Sequence, residues 1–115
     1  MDRAVLAVKA MWKDLNPAFG VILGSGWGDV LDDFTIKSSL PFTDITGLGK
    51  AGVEGHVGRI LRAEYKGSEV IIFQGRRHLY EGEGLTPVIL PVWLLKKFGA
   101  RSVLITNASG GIRED

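Results

Sequence analysis

Residues 75–82 read Gly75-Arg76-Arg77-His78-Leu79-Tyr80-Glu81-Gly82, the densest run of chemically capable side chains in the 115-residue sequence. Arg76 and His78 lie two apart, so an extended backbone puts both on one face. A guanidinium and an imidazole side by side can hold a dianion, the guanidinium through its fixed fork of donors. Tyr80 continues that face with a hydroxyl, and Glu81 can orient His78 or Arg76. Any one of these residues is more often part of a solvated, mixed-charge turn. The set, directly after an apolar run and flanked by glycines, favours a site.

A second candidate is Gly24-Ser25-Gly26-Trp27-Gly28, where unhindered backbone N–H groups, a hydroxyl and a helix start would suit an anion. The dinucleotide pattern G-x-G-x-x-G fails because Asp29 holds its last position, and there is no phosphate-gripping lysine followed by Ser or Thr. By itself this loop is at least as often a turn without a ligand. His56, in Glu54-Gly55-His56-Val57-Gly58, is by the same measure more often structural. Two histidines, no cysteine and no His-x-x-x-His pair argue against a metal site. The basic run Arg76-Arg77-His78 is isolated and lacks the interleaved aromatics of single-strand nucleic-acid binders. Trp12, Trp27 and Trp93 read as core or interface residues.

The elements that must carry these residues follow from apolar spacing and turn chemistry. Asp2 to Leu15 reads as an amphipathic helix with Ala4, Val8, Met11, Trp12 and Leu15 on its buried side, broken by Asn16-Pro17. Val21–Leu23 is a short apolar strand, and Gly28 to Phe34 a short helix. Residues 35–56 read as an edge strand and then a long loop. Arg59–Tyr65 and Val70–Phe73 form a hairpin across Lys66-Gly67-Ser68. Thr86 as N-cap, Pro87 at the first helical position, Lys96 and Lys97 in the last turn and Gly99 after it delimit a second helix. Pro91 should bend it. Val103–Thr106 is a last, central strand running into Asn107-Ala108-Ser109-Gly110-Gly111.

Continuous apolar strands followed by Gly/Ser-rich loops are the pattern of a parallel sheet covered on both faces, whose ligands gather beyond the carboxyl strand ends. The expected fold is therefore α/β, a central mixed, largely parallel sheet flanked by helices. If the strands are parallel, one sheet edge collects Ser25, Arg76, His78 and the backbone of 107–109.

Composition narrows the class. Fourteen Lys and Arg against thirteen Asp and Glu leave a net charge of +1, without the basic excess of a dedicated nucleic-acid binder. A hydrophobic fraction of 45% is too high for disorder. The absence of cysteine removes disulfides and fits a reducing cytoplasm. Neither a signal peptide nor an apolar run near 20 residues is present, so a soluble cytoplasmic protein is expected.

Taken together and in order, Gly24-Ser25-Gly26, Gly55-His56-x-Gly58-Arg59, Gly75-Arg76-x-His78-x-Tyr80-Glu81-Gly82 and Thr106-Asn107-Ala108-x-Gly110-Gly111 resemble the purine nucleoside phosphorylases of the trimeric, inosine/guanosine class. Pro91-Val92 and Gly99 also fit, and the similarity runs from about Phe19 to residue 115. The related methylthioadenosine phosphorylases differ in the G-R-x-H-x-Y-E-G element. The resemblance implies phosphorolysis of purine (deoxy)ribonucleosides to free base and (deoxy)ribose 1-phosphate, with inorganic phosphate as co-substrate and no cofactor. It implies phosphate binding by Ser25, Arg76, His78 and the Ala108 backbone with His56 nearby, ribose contact by Tyr80, and His78 and Glu81 as catalytic residues. It further implies a homotrimer that engages neither nucleic acid nor membrane.

The family's members are more than twice this length, and their purine-recognising residues lie downstream of Asp115. Ser109 and Glu54 also depart mildly from the family pattern. The expectation is thus one domain over 1–115, the N-terminal part of a larger catalytic domain that carries the phosphate and ribose half of the site. Two other readings stand beside it: a non-catalytic phosphate- or nucleoside-binding domain, and an interaction subunit that completes its sheet with a second chain.

Overall fold

The computed structural model describes residues 2–23, 28–42, 58–75 and 86–106. Their elements, in chain order, are helix α1 (Asp2–Met11), strand β1 (Phe19–Leu23), a 3₁₀ turn (Gly28–Asp33), β2 (Thr35–Pro41), β3 (Arg59–Tyr65), β4 (Ser68–Gln74), helix α2 (Thr86–Lys97) and β5 (Val103–Ile105). The strands form one mixed sheet in the order β2-β3-β4-β1-β5. β1 runs parallel to β4 and to β5, while β2–β3 and β3–β4 are antiparallel.

The hairpin forms where the turn chemistry placed it. Lys66 (φ 49°) and Gly67 (φ 83°) both take positive φ, as a two-residue loop matched to the strand twist requires. The register follows, from Tyr65 opposite Ser68 to Arg59 opposite Gln74. Ile60 and Leu61, which blur the alternation of β3, are both buried because both faces of the sheet are covered. Ile60 packs with Ile22, Ile71 and Phe73 beneath α1 and α2, whereas Leu61 packs with Val21, Leu23, Val70 and Ile72. Leu31 and Phe34 lie against that second cluster.

α1 presents Ala4 and Val8 to the core, joined there by Trp12 just after it, whose Nε1 donates to Ser38 Oγ at 3.1 Å. It ends at Met11, not Leu15, and Met11 is 55% exposed. At 100° per residue Met11 sits about 60° around the helix from Val8, at the margin of the buried stripe. α2 buries Leu90, Leu94 and Leu95, Phe98 just after it is buried as well, and the helix runs through Pro91. It stops where Gly99 (φ 88°) donates to the Lys96 carbonyl at 3.1 Å and Ala100 to the Leu95 carbonyl at 3.0 Å, a Schellman closure that consumes two orphan carbonyls. α2 packs so near β1 that a β-carbon at Gly20 would collide with the Leu95 side chain. Any side chain at that position would therefore force Leu95 to shift.

β5 ends the strand order among the described residues. It reads as a central strand in the sequence, yet among the described residues it pairs with β1 alone, and Val103, Leu104 and Ile105 are 38%, 57% and 46% exposed.

The stretch between α1 and β1 is held to the hairpin by charge. Glu69 accepts from Arg62 Nε and, at 2.7 Å, from the Asn16 backbone, and Arg62 also reaches Asp14 Oδ1 at 3.1 Å. Burial alone would lower the Arg62 pKa, but its hydrogen bonds to Glu69 and Asp14 outweigh that and hold it above its ordinary value. The hydrogen bond from Arg62, followed by a local backbone hydrogen bond, holds the Asp14 carboxyl below its own.

Candidate functional site

Seven candidate residues were named from sequence: Ser25, His56, Arg76, His78, Tyr80, Glu81 and Ala108. All seven lie outside the described residues, as does Trp27. What the described residues define is the frame from which their segments depart.

That frame is the carboxyl edge of three adjacent parallel strands. Leu23 stands opposite Gln74, and Ile22 opposite Ile105. Strands in a sheet lie roughly 4.8 Å apart, so the last residues of β4, β1 and β5 fall within about 10 Å of one another across the sheet. Ser25 follows β1 by two residues, Arg76 follows β4 by two and Ala108 follows β5 by three. The three glycine-bearing segments therefore set out from one rim, with β1 in the middle.

Specific contacts fix the stems. At the β5 exit the Thr106 N–H donates to the Ile22 carbonyl at 2.9 Å, and its hydroxyl approaches the same oxygen at 3.4 Å. At the β4 exit Gly75 takes φ 88°, a left-handed turn that a side chain would resist, so the backbone swings off the strand line immediately before Arg76. At the start of β3, which follows the His56 segment, Arg59 Nε donates to Gln74 Oε1 at 2.7 Å. The Phe42 N–H donates to the Gly58 carbonyl at 2.9 Å, which ties the end of β2 to the same place. The stem of the His56 segment is thus bonded to the stem of the Arg76 segment. Sequence reasoning did not single out Arg59–Gln74, although counting outward from the Lys66-Gly67 turn pairs those two positions.

Among the described residues, polar side chains away from this rim do not build a competing site. A groove of about 460 Å³ on the antiparallel half of the sheet is lined by Lys37, Arg62, Glu64 and Glu69, but its arginine is already held by Glu69 and Asp14. Among the described residues no cluster of three or more His, Asp or Glu side chains could hold a metal ion, and no helix is long and apolar enough to cross a membrane.

Comparison with known proteins decides what kind of frame this is. Residues 18–115 match the phosphorylase superfamily. The chain belongs to that superfamily. Purine nucleoside phosphorylase 1 of Geobacillus stearothermophilus is 37% identical over 99 residues, which cover 86% of this chain and 36% of the relative. Purine nucleoside phosphorylase 1 of Bacillus subtilis is 35% identical over the whole chain and is covered to 42%. The chain therefore spans well under half the length of these relatives. Among solved structures, the Schistosoma mansoni purine nucleoside phosphorylase superposes with a TM-score of 0.81 at 31% identity, over 96% of this chain and 40% of that one. A purine nucleoside phosphorylase in complex with ribose 1-phosphate superposes with a TM-score of 0.79 at 30% identity. The mixed sheet with helices packed on it is thus the phosphorylase arrangement, in part.

Proposed function

We propose that this chain carries the phosphate- and ribose-binding half of a purine nucleoside phosphorylase, as one domain over 1–115 that is the N-terminal part of a larger catalytic domain. The observation that carries the reading is the shared rim of β4, β1 and β5, from which the Ser25, Arg76 and Ala108 segments all depart. The names of the relatives support the purine nucleoside class, and so do solved neighbours in complex with inosine and with ribose 1-phosphate.

On this reading Ser25, Arg76, His78 and the Ala108 N–H hold the phosphate dianion, with His56 beside it, and Tyr80 contacts the ribose. Glu81 and His78 orient that cluster. A phosphate oxygen attacks the anomeric carbon as the bond to the purine nitrogen breaks, and the base leaves with the bonding pair. Positive charge develops on the ribose, and the fixed dianion next to it stabilises that charge. Positioning and electrostatics then supply the acceleration, and no cofactor is called for. A cytoplasmic homotrimer is the corresponding assembly.

The test is phosphate titration of the 115-residue chain by calorimetry, alongside an inosine phosphorolysis assay. Saturable phosphate binding that Arg76→Ala weakens tenfold or more, about the worth of one charge-assisted contact, supports the assignment. Binding indifferent to Arg76 removes it. Inosine cleavage by this chain alone, at ordinary enzyme rates, overturns the division into halves.

A further inference from the structure

The phosphate assignment takes Ala108 from the run Thr106-Asn107-Ala108 and leaves Thr106 without a role. Thr106 is the first residue after β5 and stands two residues before Ala108. Its N–H donates to the Ile22 carbonyl at 2.9 Å, and its part-buried hydroxyl donates to the same oxygen at 3.4 Å. Ile22 in turn lies three residues before Ser25. The N–H bond continues the parallel ladder beyond the Ile22–Ile105 pair, and every residue type except proline could make it. The hydroxyl is a choice of side chain. A carbonyl oxygen has two lone pairs and accepts both donors, and the β-branch of threonine limits rotation about χ1. The second donor resists rotation of the Ile22–Leu23 peptide, from which β1 runs on toward Ser25. On the other side of β1, Arg59 and Gln74 join the stems of the His56 and Arg76 segments by their side chains. β1 lies between β4 and β5, so the row of stems carries a side-chain brace on each side of its middle strand.

We propose that Thr106 is a positioning residue for the phosphate site: its hydroxyl, acting through the Ile22 carbonyl, holds the stems of the Ser25 and Ala108 segments at a fixed spacing. The inference rests on the phosphate reading of the rim. Thr106 does not touch the ion. It lowers the cost of ordering two segments when the ion binds, which is how preorganisation raises affinity. The hydroxyl contact is long beside the roughly 2.8 Å usual for O–H···O, so its share is modest, about three- to tenfold in affinity.

The experiment titrates the parent chain, Thr106→Val and Thr106→Ser with inorganic phosphate and follows the Ile22 carbonyl by carbon-13 NMR. Valine keeps the shape and the N–H but removes the hydroxyl. Thr106→Val should weaken phosphate binding about three- to tenfold and shift the Ile22 carbonyl resonance. Thr106→Ser should bring both back toward the parent values. In a Ser25→Ala background the loss caused by Thr106→Val should shrink, because part of it acts through Ser25. In an Arg59→Met background it should persist, because that brace lies on the other side of β1. If the parent binds phosphate, Arg76→Ala weakens it and Thr106→Val does not, the role of Thr106 is overturned and the phosphate reading stands. If the parent shows no saturable phosphate binding, both fall. An Ile22 carbonyl that ignores Thr106→Val, a serine variant no better than the valine variant, or an undiminished loss in the Ser25→Ala background would each overturn the proposal.

Discussion

Arg59 and Gln74 face each other at the open end of the β3–β4 hairpin, joined by a 2.7 Å hydrogen bond from Arg59 Nε to Gln74 Oε1. Each is the strand residue nearest a candidate ligand-binding segment, Arg59 after His56 and Gln74 before Arg76. The contact sits at the surface, where a single polar pair contributes on the order of 1 kcal/mol or less. On the proposed reading its leverage is geometric: it braces the two stems from which the His56 and Arg76 segments depart.

Arg59→Met is accordingly expected to change thermal stability by no more than about 1 kcal/mol while weakening phosphate binding several-fold. Gln74→Met should do the same, and the double variant should be no worse than either alone, since both remove one contact. Calorimetric titration of the four proteins with phosphate checks this. Unchanged affinity in Arg59→Met reduces the pair to a surface contact.

Gly75 gives a sharper case. Its φ of 88° costs an L-residue roughly 1–2 kcal/mol. Gly75→Ala should lower stability by about that amount or, where the chain relaxes instead, move the departure of the Arg76 segment. Where the departure moves, phosphate affinity should fall. A melt and a phosphate titration both at the parent values would show that this turn sets nothing.

Much of this frame is legible in the sequence because it rests on local chemistry. The hairpin is announced by Lys66-Gly67 between apolar runs, and the end of α2 by Lys96, Lys97 and Gly99. The shared rim follows from apolar strands that each run into a glycine-rich segment. What is not legible depends on packing at a distance. Nothing local to Met11 says that the sheet leaves its side of α1 uncovered. Gly20 reads as one glycine among sixteen; only the approach of Leu95 gives its missing side chain a consequence. The candidate site itself was read from motif order, and the described residues bear on its stems.

The hairpin turn has room for improvement. Lys66 adopts φ 49°, a region where Asn is better tolerated than Lys. Lys66→Asn should raise stability by about 0.5–1 kcal/mol, seen as a higher denaturation midpoint with an unchanged m-value. Lys66→Val should lower it. A fall in midpoint for the Asn variant would mean that the Lys66 ammonium over the Tyr65 ring, 5.3 Å from its centroid, matters more than the backbone.

The last prediction concerns pH. Hydrogen bonding from Arg62 holds the Asp14 carboxyl below its ordinary pKa, and Arg62 remains charged throughout. A group whose folded pKa is depressed adds stability that is complete above its unfolded value and is lost as pH falls through the folded one. Acidification through the ordinary aspartate range and below should therefore loosen the hold of the α1–β1 stretch on the hairpin. Because the Asp14 side chain is 85% exposed, the effect should be small and should shrink in high salt, where screening acts within a few ångströms. Carboxyl NMR titration should give Asp14 a midpoint below that of an unpaired aspartate. Arg62→Met should raise that midpoint toward the ordinary value, short of it by the share of the local backbone hydrogen bond, and reduce the acid-side slope that Asp14 contributes to stability. A midpoint unmoved by Arg62→Met would assign the depression to the local Asp14 backbone hydrogen bond.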